Sequence, residues 1–368
     1  MKNRSILSSL LLWLAAASSA GAVTVAADDF ILTLENQKAE IPFSVLLAND
    51  DFEPQDRLKV DLDSGPASGE LFDDAAGYVY KPNHGFTGVD TFTYRLNGSR
   101  SSSNTATVRI HVSPLWAPVA GDWNGDGNLD VGVYKNASSP FFLLCLIAED
   151  EDASCSRYPV ESRFVGFLPL AGNWDGDADP ADEVGLYDPA TGRFHLLDLG
   201  SHQTLLPLTD FTVGKGGQGN LPLAGDWNGD GIDTVGLRLA ATGELGLRDK
   251  NSTGGFDYLF ALTGSQPGWL PFAGDWYQDG TLGVGLYDPA NRKSYLRDEL
   301  TSGPAQWLGN LAQDVPILGM GNPAGEPRLF WFLFFHREPS LLIFYISSNS
   351  NVRPHLKSVI PIDPDGDG

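Results

Sequence analysis

Cysteine and methionine are nearly absent from this chain of 368 residues, at two each, and only six histidines are present. Two cysteines exclude a disulfide-dense scaffold and a four-cysteine zinc site. The histidines (His84, His111, His195, His202, His336 and His355) show no metal-ligand spacing. No HExxH helix, GxSxG elbow or phosphate-cradling loop followed by lysine occurs, so the signatures of the common hydrolases and nucleotide-binding enzymes are missing. Positive charge is scarce too, with 24 Lys and Arg against 47 Asp and Glu and a net charge of −23. That field repels phosphate backbones, so nucleic acid is not an expected partner. Beyond the N-terminus there is no long apolar run free of charge. Leu329 to Phe335 and Leu341 to Ile346 are separated by Arg337 and Glu338 and read as buried strands.

What the chain has in quantity is glycine and proline, 42 and 24 residues, with 42% hydrophobic residues overall. Many tight turns and a sizeable core follow, and the length allows two or three domains of an all-β protein. At the N-terminus, Lys2 and Arg4 precede the apolar run Ile6 to Ala17, followed by small residues up to Ala22. Residues 1–22 have the layout of a secretory signal peptide, and the run is short for a membrane anchor. The mature chain is expected outside the cell or on its surface, without a transmembrane segment. Cys145 and Cys155 flank the acidic turn Glu149 to Asp152. If that turn closes a hairpin, the two can join as a disulfide in an oxidising space.

From Ala26 to Ser113, short alternating runs are broken by turn residues. Ile31 to Leu34, Glu40 to Phe43, Leu58 to Val60, Gly77 to Tyr80, Thr91 to Tyr94 and Ala106 to Val112 read as strands. About seven strands in this span predict an Ig-like β-sandwich. Val45 to Asp50, Ser64-Gly65-Pro66 with Gly69-Glu70-Leu71, Tyr80-Lys81-Pro82, Phe86 to Tyr94 and Ser103 to Val108 resemble a bacterial cadherin-like, Ig-like surface module. The resemblance implies calcium held by acids at the domain edge, with Asp28, Asp29, Asn49, Asp50, Asp51, Glu53 and Asp90 at the matching positions. The plainer reading has Asp50 and Asp51 cap a turn and Asp90 close one. Residues 114–118, with prolines at both ends, read as a stiff linker.

From residue 118 to 362 the chain repeats. Pro118 opens PVAGDWNGDGNLD, echoed by PLAGNWDGDADPADE from Pro169, PLAGDWNGDGIDT from Pro222, PFAGDWYQDGTLG from Pro271 and an eroded PILGMGNPAGEPR from Pro316. The period is near fifty residues. Each unit carries an acidic glycine-rich loop, an apolar strand such as Val184-Gly185-Leu186-Tyr187, a turn, a second strand and a variable return. Three or four strands per unit in five units predict a β-propeller of about five blades.

The loops point to a divalent cation. Counting Asp122 as the first position, side-chain oxygens fall at Asp122, Asn124, Asp126 and Asp130, and Asn128 offers its carbonyl. Alternating hard oxygens on a curled, glycine-containing loop suit Ca2+. The second copy keeps Asn173, Asp175 and Asp177, with either Asp182 or Glu183 as the closing ligand. The third keeps Asp226, Asn228 and Asp230, with Thr234 at the ninth position and Asp233 one place early. In the fourth, Tyr277 and Gly283 replace ligands beside Asp275 and Asp279, and the fifth has essentially none. The plainer reading of each loop is a hydrogen-bonded Asx turn without an ion. The set resembles the calcium loops of FG-GAP (integrin α-type) repeats, grouped also with VCBS repeats. Trp123, Trp174, Trp227 and Trp276 recur beside the first ligand, where packing between blades is favoured over stacking on sugar rings. Residues 363–368 alternate Asp with Gly or Pro, as an acidic tail or the opening of a truncated calcium motif resembling a thrombospondin type 3 repeat.

The leading expectation is a secreted or cell-surface calcium-binding adhesion protein that recognises a glycan or a surface protein. A carbohydrate-active enzyme on the same scaffold and a structural spacer of an extracellular matrix are the alternatives.

Overall fold

The computed structural model describes residues 24–52, 58–98, 101–127, 130–146, 154–177, 179–214, 219–266, 269–274, 282–288, 291 and 293–304, with the backbone of five further strands between 306 and 361. Residues 1–22, expected as a signal peptide, and Glu53, Asn128, Glu149 to Asp152, Asp275 to Asp279 and residues 363–368 lie outside the described residues. The fold is all-β, with one short α-helix, Phe43–Leu46, and two single turns of 3₁₀-helix among the described residues.

Seven strands build the first part: β1 (Asp29–Leu34), β2 (Ala39–Pro42), β3 (Lys59–Ser64), β4 (Gly69–Asp74), β5 (Gly77–Pro82), β6 (Gly88–Asn97) and β7 (Ala106–Ser113). They form two sheets, β1-β7-β6-β3 and β2-β5-β4, with β1 parallel to β7. Alternation makes the sandwich: Phe92, Tyr94 and Leu96 of β6 and Val108, Ile110 and Val112 of β7 turn inward onto Ile41, Tyr78 and Tyr80. At the end of β7, however, the outward residues His111 and Ser113 are buried as well. They face the rest of the protein. Ser113 Oγ donates to the Gly166 carbonyl at 2.7 Å. Leu32 of β1 lies against Gly166, and Val89 of β6 lies with His111 and Phe30 against Gly219.

Five four-stranded antiparallel sheets follow in chain order. The first holds β8 (Trp116–Gly121), β9 (Asp130–Lys135), β10 (Phe141–Leu146) and β11 (Ser154–Pro159). The second holds β12 (Leu168–Gly172), β13 (Glu183–Tyr187), β14 (Arg193–Gly200) and β15 (Thr204–Thr212). In the third are β16 (Leu221–Gly225), β17 (Thr234–Arg238), β18 (Leu245–Leu247) and β19 (Tyr258–Phe260). The fourth comprises β20 (Leu270–Gly274), β21 (Gly283–Asp288), β22 (Lys293–Arg297) and β23 (Gln306–Asn310). The fifth comprises β24 (Pro316–Gly321), β25 (Arg328–Phe334), β26 (Ser340–Ser347) and β27 (His355–Pro361). The apolar runs read as strands near the C-terminus are β25 and β26. First strands are neighbours in a cycle: β8 beside β12, β12 beside β16, β16 beside β20, β20 beside β24, and β24 beside β8.

The sequence pattern explains this stacking. Val184 and Leu186 project from one face of β13 into a cluster with Val119, Tyr134, Phe142 and Leu144 of the first sheet. Tyr187 projects from the other face and packs with Val235 and Leu237 of the third. Val284 and Leu286 repeat the arrangement against Leu245 and Leu247. β13 is thus covered on both faces, and β9, β17 and β21 are buried along their length in the same way, so these strands read as continuous apolar runs rather than alternating ones. Every such side chain contributes about 1.5–3 kcal/mol through burial.

The expected linker is shorter than its prolines suggest, because β8 begins at Trp116 and includes Pro118. A first strand bonds to only one neighbour. A proline whose missing N–H faces away from that neighbour costs no ladder bond. The same reasoning accounts for Pro169, Pro222, Pro271 and Pro316, all inside first strands.

Candidate metal centre

The acidic loops connect each first strand to its second. A shared foundation holds them: Gly121, Gly172 and Gly225 end their strands under an indole. A β-carbon on these glycines would come within 2.6 Å of Trp123, 2.9 Å of Trp174 and 3.0 Å of Trp227. Trp123 Nε1 donates to the Val131 carbonyl at 3.1 Å, and Trp174 Nε1 donates to that of Val184 at 3.2 Å. Trp174 and Trp227 are buried, so the indoles pack the loop onto its sheet.

Loops one and three share a set of hydrogen bonds. The Asp126 N–H reaches Asp122 Oδ1 (3.1 Å) and Asn124 Oδ1 (3.0 Å), and the Gly127 N–H reaches Asp122 Oδ2 (2.7 Å). In loop three the Asp230 N–H reaches Asp226 Oδ1 (3.2 Å) and Asn228 Oδ1 (3.0 Å), and the Gly231 N–H reaches Asp226 Oδ2 (2.8 Å). The left-handed turns this requires fall on Gly125 and Gly127, and on Gly229 and Gly231. Loop two, two residues longer, runs as successive Asx turns. Asp177, Asp179 and Ala181 each donate to the carboxylate two residues earlier.

Strand register places one residue opposite the glycine that ends each first strand. Gly121 pairs with Asp130, Gly172 with Glu183, Gly225 with Thr234 and Gly274 with Gly283. Of the two candidates in loop two, Glu183 therefore stands in the place of Asp130. It is buried and accepts the Trp174 N–H at 2.8 Å.

Asp182, one residue earlier, turns to the preceding loop. Its Oδ2 accepts the Asp122 N–H at 2.8 Å, while its own N–H donates to the Asp122 carbonyl at 2.7 Å. Asp233 repeats this with Asn173, at 3.0 and 2.7 Å. The corresponding residue of the fourth sheet, Leu282, rests on Gly225 instead. Local spacing did not reveal this clamp. Its only sequence signal is an aspartate just before the closing position in copies two and three.

These acids crowd one another. Burial pushes the Asp182 carboxyl up to about 7, opposed by the Asp122 N–H and reinforced by the charges of Asp233 and Asp122. Burial likewise takes Glu183 to about 7, with Asp175, Asp182 and Asp198 adding repulsion, and Asp233 to about 6. Among the described residues no three His, Cys, Asp or Glu side chains are gathered in metal-binding geometry. The donors present are hard oxygens, two of the five in loop one (Asn124 and the Asn128 carbonyl) being neutral, and the crowded charge is of the sign a cation relieves. The donor chemistry fits calcium.

In the Ig-like part the acids have protein partners. Asp90 accepts from the amides of Ala67, Ser68 and Thr91 and from Tyr80 Oη. Asp50 accepts the Ala27 N–H at 2.7 Å, and Tyr94 Oη reaches Asp29 at 3.0 Å. Asp28 accepts from the Thr107 amide and pairs with Arg109, and Asn49 Nδ2 donates to the Asp28 carbonyl. Cys145 and Cys155 are opposite one another on β10 and β11 and form a disulfide.

A cleft of about 260 Å3 lies between the first and second sheets, bounded by Glu161, Arg163 and Phe164 on one side and by Leu208 and Asp210 on the other. His195 Nδ1 is 2.9 Å from Asp210 Oδ1, and its ring packs edge-on against Phe164. Both walls come from the variable returns rather than from the repeated motif.

Residues 21–111 match the family model of a bacterial Ig domain. No curated protein matches the chain. Among solved structures, a mutant of the Aleuria aurantia lectin in complex with alpha-methyl-L-fucoside overlays at a TM-score of 0.39 and 13% identity, over 75% of this chain and 92% of the lectin. A DUF4784 family protein from Bacteroides caccae overlays at a TM-score of 0.30 and 11% identity, over 92% of this chain and 84% of that one. Neither overlay is close enough to carry a fold or a ligand across. No helix among the described residues is long and apolar enough to cross a membrane.

Proposed function

We propose that this is an exported surface-recognition protein in which the Ig-like module carries a calcium-stabilised, five-bladed β-propeller of FG-GAP/VCBS type. The observation that carries the reading is the cycle of first strands, in which β24 returns beside β8. A ring of sheets covers both faces of every sheet, which a single unit cannot do. The acidic loops share one rim of that ring. The Ig-like part meets the opposite ends of the first strands, at Gly166 and Gly219.

Calcium would be held in loop one by Asp122, Asn124, Asp126 and Asp130 with the Asn128 carbonyl. Loop two would use Asn173, Asp175 and Asp177 closed by Glu183, and loop three Asp226, Asn228 and Asp230. The ion would offset the mutual repulsion of these acids and stiffen the rim. Recognition of a glycan or a surface protein falls to the variable returns, and the cleft of Arg163, Phe164, His195 and Asp210 offers a charged, aromatic-backed surface for it.

The test is a glycan and surface-protein binding array run on the full chain with and without calcium, beside a glycan-cleavage screen. Calcium-dependent binding without turnover is expected. Turnover would replace the proposal with a carbohydrate-active enzyme, and silence in both screens would leave a structural spacer.

A further inference from the structure

Loops one, two and three are joined in series by one repeated clamp. Asp182, the residue before the closing position of loop two, holds both backbone groups of Asp122, the first donor of loop one. Asp233 of loop three holds both backbone groups of Asn173, the first donor of loop two. The loops also pack on one another. A β-carbon on Gly125 of loop one would come within 2.8 Å of Pro180, and one on Gly176 of loop two within 2.6 Å of Ile232. Asn251 Nδ2 reinforces the second clamp, donating to the carbonyls of Trp174 at 3.2 Å and Asp233 at 2.9 Å.

The clamp follows the oxygen donors. It joins the three loops that keep them and stops where they fade. Loop four has lost two donors to Tyr277 and Gly283, and at its clamp position Leu282 lies against Gly225. The first strands of the third and fourth sheets are neighbours all the same, so stacking of the sheets does not require the aspartate. A polar clamp kept only between donor-bearing loops points to a task in ion binding.

We infer, on the calcium reading proposed above, that Asp182 and Asp233 are positioning residues that make calcium binding cooperative from loop to loop. With Asp177 and Glu183 held on one ion, the segment between them, which carries Asp182, is fixed. Asp182 then fixes the Asp122 backbone, so loop one has less left to order when its own ion binds. Asp233 carries the same effect from loop three to loop two. By linkage the coupling is equal in both directions. Repulsion between the ions opposes it, but Asn124, Asp126, Asp175, Asp177, Asn228 and Asp230 are exposed to solvent. Salt at 0.15 M, with a Debye length of about 8 Å, limits that repulsion.

The experiment is a calcium titration of the full chain against a chromophoric chelator at about 0.15 M salt, with Asp182→Ala, Asp182→Asn and Asn228→Ala beside the native protein. The native isotherm is steeper than independent sites allow, with a Hill coefficient of about 2. Asp182→Ala removes no calcium donor, so the number of ions bound is unchanged. Its Hill coefficient falls toward one, and its loop-one affinity falls about fivefold. Asp182→Asn retains an acceptor oxygen and keeps the steepness. Asn228→Ala removes a loop-three donor without changing the charge, and it weakens calcium at loops one and two as well. If the aspartate is merely structural, Asp182→Ala melts lower but keeps the native Hill coefficient, which overturns the coupling. A native Hill coefficient of one, with loops one and two untouched by Asn228→Ala, also overturns it and leaves the calcium reading standing. That outcome decides the matter even if Asp182→Ala fails to fold. A native chain that binds no calcium overturns that reading and the coupling together.

Discussion

Asp182 and Asp122, 60 residues apart, exchange two hydrogen bonds across neighbouring sheets: the carboxylate of Asp182 accepts the Asp122 amide at 2.8 Å, and the Asp182 amide donates to the Asp122 carbonyl at 2.7 Å. The pair pins the start of one acidic loop to the end of the next. Removing the acceptor leaves a partly buried N–H unsatisfied, at about 1–3 kcal/mol. Asp182→Ala is therefore expected to lower the unfolding free energy by that amount in a denaturant titration. Asp182→Asn, which retains an acceptor oxygen, should lose much less. Equal losses in the two variants would show that the hydrogen bond is not what matters.

Calcium removal should act through the same rim. Chelation is expected to lower the melting temperature substantially, and added calcium to restore it, because loops one to three hold carboxylates that otherwise repel one another. Asp126→Ala should remove more of this response than Asp279→Ala, since the first loop has the fuller set of oxygen donors. A melting curve indifferent to chelator would remove calcium from the account.

Much of this rim is legible in the sequence because each constraint is local. Pro118 can recur at every copy because a first strand is an edge strand, and Gly121 recurs because Trp123 lies on it. The Val184-Gly185-Leu186-Tyr187 pattern encodes a strand covered on both faces. What spacing cannot encode is direction. Asp182 and Glu183 are adjacent and chemically alike, yet strand alternation sends one to the neighbouring sheet and keeps the other in its own loop. The partner of Asp182 is distant in sequence, so no local count of ligands separates the two. The burial of His111 depends on a segment more than a hundred residues away.

His111 is expected to make folding sensitive to acid. It is 2% exposed, stacks with Phe30 and abuts Val89 and Gly219, and neither ring nitrogen has a hydrogen-bond partner. Arg109, on the same face of β7, is paired with Asp28. Burial lowers the His111 imidazole from 6.5 to about 4. A folded-state pKa below the unfolded one means that the stability is fully present above about 6.5 and is lost as pH falls toward 4. The loss amounts to about 3 kcal/mol at its limit. His111→Phe keeps a ring against Phe30 and cannot be protonated. Between pH 7 and 4 its unfolding free energy should fall less than that of the native chain by about this amount. Parallel pH profiles would argue against a buried neutral histidine.

The disulfide should matter modestly. Cys145 and Cys155 are separated by only ten positions, so the link removes little freedom from the unfolded chain. The loop-closure estimate is about 2–3 kcal/mol. Replacing both cysteines by serine should lower stability by that amount in the absence of reductant and abolish the effect of adding reductant. A residual response to reductant in the double variant would contradict this assignment, since among the described residues no other cysteine is present.

Recognition through the cleft between the first two sheets can be separated from stability at Arg163. Its side chain is 58% exposed and paired with Glu161, which is 69% exposed, an arrangement that contributes almost nothing to folding. Yet the guanidinium lies 4.4 Å from the Phe164 ring at the mouth of the cleft, where a ligand would desolvate it and strengthen its contacts. Arg163→Ala is expected to leave the melting temperature within about 1 °C of the native value. It should weaken binding to whichever array ligand is retained by about tenfold or more, in a titration at fixed calcium. Unchanged affinity would move the recognition surface away from this cleft and toward the other variable returns, with the ring and its calcium loops left as they stand.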